Sequence, residues 1–265
     1  VGLARSTRFV LLSALASLAQ PTWARPDVPW DGFYFGGNLG DASSSSCNSR
    51  ALHGAMIGPA AASEFSQRDC SESGAPVGGV QFGENFQFRR LVWGVGADLD
   101  LWSAKTLTQS LQYSGAVPPS GTYAFSSKQN PAGFAVIGPR IGYAGDAWLP
   151  FVRAGTIISL GSHDSALLYT PTGAARSTAA FNGGKDFAAV GWVAGGGFEL
   201  GLNGAWSIGA EYLHARLGRG ADSTSTCNGP AAACAAFAGM SFDNSHENFS
   251  ANIVRIGITY WFSYW

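Results

Sequence analysis

Charge is scarce in this chain. Asp, Glu, Lys and Arg make up 12% of its 265 residues, against roughly 25% in an average soluble domain. What charge there is balances to a net of −1, a near-neutral balance that argues against nucleic acid as a partner. Long apolar runs are missing as well. The run 9–19 is about ten residues long, and a bilayer-spanning helix needs roughly 20. Later apolar stretches are broken by Gly or a charged residue, so any passage through a membrane must be made by strands. No His and Cys spacing resembles a metal site, and no proline-rich linker or composition break marks a second domain.

Glycine, at 36 residues, and aromatics, at 13%, are abundant. Gly-rich, charge-poor sequence fits strands that bend around a barrel and face lipid. The first 24 residues read as a signal peptide that is removed on export. Arg5 and Arg8 precede the apolar run, and Thr22-Trp23-Ala24 offers a small residue for cleavage. Two of the 16 basic residues lie in that segment, which leaves 14 against 17 acidic, a net of −3. Residues 25–265 are expected to form one domain.

The last segment, 248–262, carries the clearest pattern. Val254, Ile256, Ile258, Tyr260 and Phe262 alternate with Ile253, Arg255, Gly257, Thr259 and Trp261. Period-two alternation marks a strand with two different faces; an apolar face ending in aromatics opposite one bearing Arg255 suggests lipid outside and a polar lumen inside. The edge strand of a soluble sandwich would show the same periodicity. Similar segments fall at 31–40, 76–88, 91–103, 133–143, 148–160, 187–200 and 205–217, which makes eight. The connections alternate between short (89–90, 144–147, 201–204) and long (41–75, 104–132, 161–186, 218–247). Tight turns at one end and long loops at the other are the habit of outer-membrane barrels, and a sandwich gives no reason for them. The sequence therefore predicts an all-β fold, an eight-stranded antiparallel up-and-down transmembrane β-barrel, with four long surface loops and three short periplasmic turns.

Parity then assigns the faces. In 91–103, Leu91, Trp93, Val95, Ala97, Leu99 and Leu101 share one face, and Val92, Gly94, Gly96, Asp98, Asp100 and Trp102 the other. The same reasoning gathers Asp98, Asp100, Glu199 and Glu211 in the lumen against Arg140, Arg153 and Arg255. Eight strands enclose only enough room for their own side chains, so these charges are expected to form a neutralising network; a narrow ion path is the alternative. Trp93, Trp148, Trp206, Tyr260 and Phe262 cluster near the short-turn ends, where an interfacial aromatic girdle is expected.

These pieces resemble a known family: the porin-like eight-stranded outer-membrane β-barrel proteins of alphaproteobacteria, small surface antigens with OmpA-type barrels. The matching stretches are Trp30-Asp31-Gly32-Phe33-Tyr34-Phe35-Gly36-Gly37-Asn38, the run 78–88, Val92-Trp93-Gly94-Val95-Gly96-Ala97-Asp98-Leu99, Arg140-Ile141-Gly142-Tyr143-Ala144, the run 206–213 and the closing 252–260. The resemblance implies a Gram-negative outer-membrane protein that meets the barrel-assembly machinery. Gly96 departs from the family's usual Glu, Pro139 interrupts a strand, and Glu84 stands at a usually aromatic, lipid-facing position.

Four cysteines fall in what reads as loops of an oxidising compartment. Of three connectivities, Cys47 with Cys70 and Cys227 with Cys234 are favoured, because local closure needs no contact between loops. A catalytic arrangement needs a nucleophile near a His oriented by an acid. His163 with Asp164 and Ser162 or Ser165, and His246 with Glu247, are the nearest approaches, and adjacent strand residues point to opposite faces. The chain is thus read as a protein that is not an enzyme and has no catalytic residues, metal or cofactor. Some members of the resembled family bind haemin or act as adhesins, for which His53, His163, Tyr169 and His246 would be the candidates. The expected partners are outer-membrane lipid and lipopolysaccharide, with host or surface ligands at the loops. The leading functional expectation is membrane integrity and surface presentation, with a narrow porin as alternative and a lipid-modifying enzyme or haemin binder third.

Overall fold

A computed structural model describes residues 30–53, 67–102, 107–115, 121–171, 179–202, 204–218, 223–228 and 231–262; the signal segment lies outside them. Its strands are β1 (Gly32–His53), β2 (Gln67–Phe88), β3 (Leu91–Trp102), β4 (Leu107–Gly115), β5 (Gly121–Tyr143), β6 (Trp148–Pro171), β7 (Ala179–Gly201), β8 (Trp206–Leu217), β9 (Ser223–Thr226) and β10 (Ser241–Phe262). Neighbours pair antiparallel in the order β1-β2-β3-β5-β6-β7-β8-β10, and β10 pairs back onto β1 from Phe33 opposite Phe262 to His53 opposite Ser241. That pairing closes eight strands into a barrel and leaves no sheet edge inside the membrane, as a spanning sheet must. β4 pairs β5 beyond the end of β3, and β9 pairs β10 beyond the end of β8, so both prolong the line of a short strand.

The expected long loops are mostly strand, which corrects the sequence reading. Residues 41–50 and 67–76 pair with each other, as do 121–131 and 161–171. Six strands have 22 to 24 residues. At about 3.3 Å per residue and a tilt near 40° they rise roughly 55 Å, while the apolar band of such barrels is about 25 Å tall. The upper halves therefore stand in water on their outer side. There the apolar face disappears from the pattern: Asp41, Ser43 and Ser45 point outward on β1 with Ala42 and Ser44 buried between them. Cys47 and Cys70 are consequently strand residues placed opposite each other, not loop residues.

Below that level the outward residues are large and apolar around the whole circumference, among them Phe35, Leu39, Val80, Val95, Leu101, Ile137, Val152, Val190, Ile208, Val254 and Ile256. Trp93, Trp148, Trp206 and Phe262 are exposed on this outer face close to the turns, with Tyr260 half-exposed between them. They pack in pairs, Phe86 with Trp93, Trp148 with Phe198, and Trp206 with Tyr260. Glu84 holds the same outward parity and is half-buried. At Pro139 the pairing of β5 with β6 skips from Ile137 to Arg140, while Pro139 stays opposite Val95 of β3; proline has no N–H to give the β6 ladder. The turn after β2 sets Arg89 at φ 57°, the left-handed region that lets two residues reverse the chain.

Candidate functional site

The inward faces stack in layers from the turn end upward. On β10 the inward sequence is Trp261, Thr259, Gly257, Arg255, Ile253 and Ala251; on β6 it is Leu149, Phe151, Arg153, Gly155 and Ile157. Strands that alternate in register must present such matching layers, because every second residue points to the same side. The lowest layer is an apolar plug of Trp30, Tyr34, Val92, Ala144, Leu149 and Trp261. Trp261 meets Trp30 edge to face at 5.5 Å and Tyr34 at 5.0 Å, and its indole N–H donates to Ser207 Oγ at 2.9 Å.

The middle layer is charged, and all seven sequence-assigned residues meet in it. Arg255 reaches three carboxylates: Glu211 at 2.6 Å, Asp98 at 2.8 Å and Asp100 at 3.1 Å. Arg153 pairs with Asp98 at 2.6 Å and Glu211 at 3.5 Å, and Arg140 with Glu199 at 2.6 Å. Arg255 is 2% exposed and Asp98 1%, so these are desolvated pairs whose stability depends on complete partnering. Three guanidinium groups face four carboxylates, an excess of one negative charge.

Neutral residues that parity alone did not single out complete the layer. The Arg140 guanidinium lies 4.1 Å from the Phe151 ring centroid and 5.3 Å from that of Tyr34, within range of cation–π attraction. Gln81 donates to Thr259 Oγ1 at 2.7 Å, and Ser207 donates to Glu199 Oε2 at 3.3 Å. Gly96 stands where the resembled family has Glu, and the reason is local. A Cβ there would collide with the Tyr34 hydroxyl, as one at Gly83 would at 2.5 Å, so both glycines make room for the tyrosine. The space left in the layer is ≈ 30 Å³, enough for no more than a few waters.

A third layer closes the lumen from above. Val77, Trp102, Phe134, Val136, Ile157, Val193, Leu213 and Ile253 are buried together, with Trp102 edge to face against Phe134 at 5.8 Å. At the mouth, a helical turn at Ala231–Cys234 and a 3-10 turn at Ala235–Phe237 fold inward. Phe237 packs on Tyr169 at 4.8 Å and Phe181 at 5.4 Å. The disulfide Cys227–Cys234 ties this segment, and Cys47–Cys70 ties β1 to β2.

Among the described residues, no group of His, Cys, Asp and Glu has the placement to hold a metal ion. Of the haemin candidates, Tyr169 is a packed core residue, 4% exposed, and not a surface ligand. The side chains of His53, His163 and His246 lie outside the described residues. His163 and Asp164 sit on β6, in strand and not in loop.

The model of one family, described as the outer membrane protein beta-barrel domain, matches residues 10–262. A comparison with curated proteins finds no match. Among solved structures the chain is similar to OprG from Pseudomonas aeruginosa, at 12% identity over 89% of this chain and 100% of that one, TM-score 0.44. It is similar to Neisserial surface protein A at 9% identity over 84% and 97%, TM-score 0.30. A third is the outer membrane protease OmpT from Escherichia coli, at 9% identity over 88% and 97%, TM-score 0.39. The reading of this chain as a non-enzyme is therefore withdrawn: a protease stands among the solved barrels it is similar to.

Proposed function

Since the chain belongs to the outer membrane protein beta-barrel domain family, we propose that it works in the outer membrane as a sealed barrel, contributing to membrane integrity and presenting its raised strands at the cell surface. The protein is an outer-membrane β-barrel. Its finer role is argued from one observation, a lumen filled by an apolar plug, a paired charge layer and a second apolar layer. A conduit needs continuous water, and desolvated ion pairs between apolar layers offer none. The resemblance to alphaproteobacterial surface antigens and the height of the barrel above its apolar band favour surface presentation. The outward Tyr260 and Phe262 on the last strand offer the assembly machinery an aromatic edge.

Planar-bilayer recording on the refolded chain tests this reading, with heat-modifiable gel migration showing that the barrel is folded. A folded, silent barrel is the expected result. Discrete current steps that change in Arg140→Gln would make the lumen a path and the protein a narrow porin.

A further inference from the structure

On the outer face of β8 and β10, a polar cluster sits where the apolar band ends. Going up β8 the outward residues are Trp206, Ile208, Ala210 and Tyr212, then His214 and Arg216; on β10 they are Ile258, Ile256 and Val254, then Asn252 and Ser250. The register places His214 opposite Asn252, and Arg216 between Ser250 of β10 and Trp192 of β7. Asn252 Oδ1 accepts from the Tyr212 hydroxyl and from His214 Nδ1, each at 2.8 Å, and the Trp192 ring lies 5.7 Å from that of His214. These bonds hold the Asn252 amide in place and leave its NH₂ group to donate elsewhere. Arg216 is exposed, and no carboxylate pairs with it among the described residues.

A cation on the lipid-facing side of a barrel, at the level where apolar residues give way to polar ones, faces the headgroups of the outer leaflet. Guanidinium recognises phosphate with charge-assisted, two-pronged hydrogen bonds, and an indole beside it suits the interface. We propose that Arg216, His214 and Asn252, flanked by Trp192 and Tyr212, form a binding site for the phosphate of an outer-leaflet glycolipid headgroup. The apolar ridge directly below, Val254, Ile256 and Ile258 on β10 with Ile208 on β8, receives the acyl chains of the same lipid. This site depends on the membrane placement and not on the sealed lumen, so it and the functional reading above stand or fall by different measurements.

Native mass spectrometry of the refolded chain in detergent micelles tests it with three probes: diphosphoryl lipid A, its dephosphorylated counterpart with the same acyl chains, and inorganic phosphate. Wild type is expected to retain the diphosphoryl lipid. Arg216→Gln should weaken retention about tenfold or more, in keeping with the loss of a charged hydrogen bond, while Arg89→Gln on the opposite rim should leave it unchanged. The dephosphorylated lipid should bind wild type no better than it binds Arg216→Gln, and inorganic phosphate should not displace the bound lipid. Equal retention by Arg216→Gln, or equal binding of the dephosphorylated lipid, overturns the site. Displacement by inorganic phosphate at the lipid's own concentration overturns the assignment to a lipid.

Discussion

Arg255 is the residue on which the charged layer turns, because among the described residues it is the one cation that contacts all three of Asp98, Asp100 and Glu211. Removing one partner of a buried ionic network leaves the others charged in a low-dielectric site, at a cost of about 3 to 5 kcal/mol. Arg255→Met is therefore expected to destabilise the barrel by about that much, read from urea unfolding in lipid vesicles followed by tryptophan fluorescence. Asp100→Asn is the contrasting variant. The layer holds one carboxylate more than it has guanidinium groups, and Asp100 is reached by Arg255 alone among the described salt bridges. Neutralising it should cost no more than about 1 kcal/mol. If both substitutions cost the same, Arg255 is not the hub. Parity in the sequence was enough to gather the seven charged residues, since a charged group among apolar neighbours has one sensible side to face. Phe151 and Gln81 were not legible in that way. An aromatic or amide suits either face of a strand, and only the register sets Phe151 under Arg140.

At the scale of elements, the sequence pattern ends where the lipid ends. Membrane-spanning strands announce themselves by an apolar outer face; once the outside is water, Ser43 and Ser45 serve as well as Leu39, and residues 41–50 read as loop although they are paired on both sides. The short turns were legible because the strands on both sides of them carry the apolar outer face. The mouth segment is a different case, since nothing periodic marks Phe237 as the residue that folds inward. Its placement is held by Cys227–Cys234 and by its packing on Tyr169 and Phe181. Closing an eight-residue loop stabilises by roughly 2.5 kcal/mol in the chain-entropy account. Cys227→Ser with Cys234→Ser should accordingly leave the heat-modifiable migration of the barrel unchanged while speeding protease cleavage within 227–240 on intact cells severalfold. Cleavage at the wild-type rate in the double variant would show that Phe237 packing suffices without the disulfide.

For the whole molecule, the order of the layers matters more than any one of them. Barriers in series are governed by the highest that remains, so opening one layer of the lumen leaves the others to block an ion. Trp261→Ala removes the centre of the lower plug, at a stability cost of about 3 to 5 kcal/mol for a buried Trp, but leaves the ion pairs of Arg255 and the packed Trp102 and Phe134 above it. Trp102→Ala likewise leaves the charged layer and the lower plug. Each variant, if it still shows heat-modifiable migration, is expected to be as silent as wild type in a planar bilayer. Current should emerge only when both aromatic layers are thinned and the charge layer is broken in the same chain, for instance by adding Arg140→Ala. Discrete steps from Trp261→Ala alone would mean that the charged layer already passes ions and that the lower plug is a gate, and the sealed-barrel reading would give way to a gated pore.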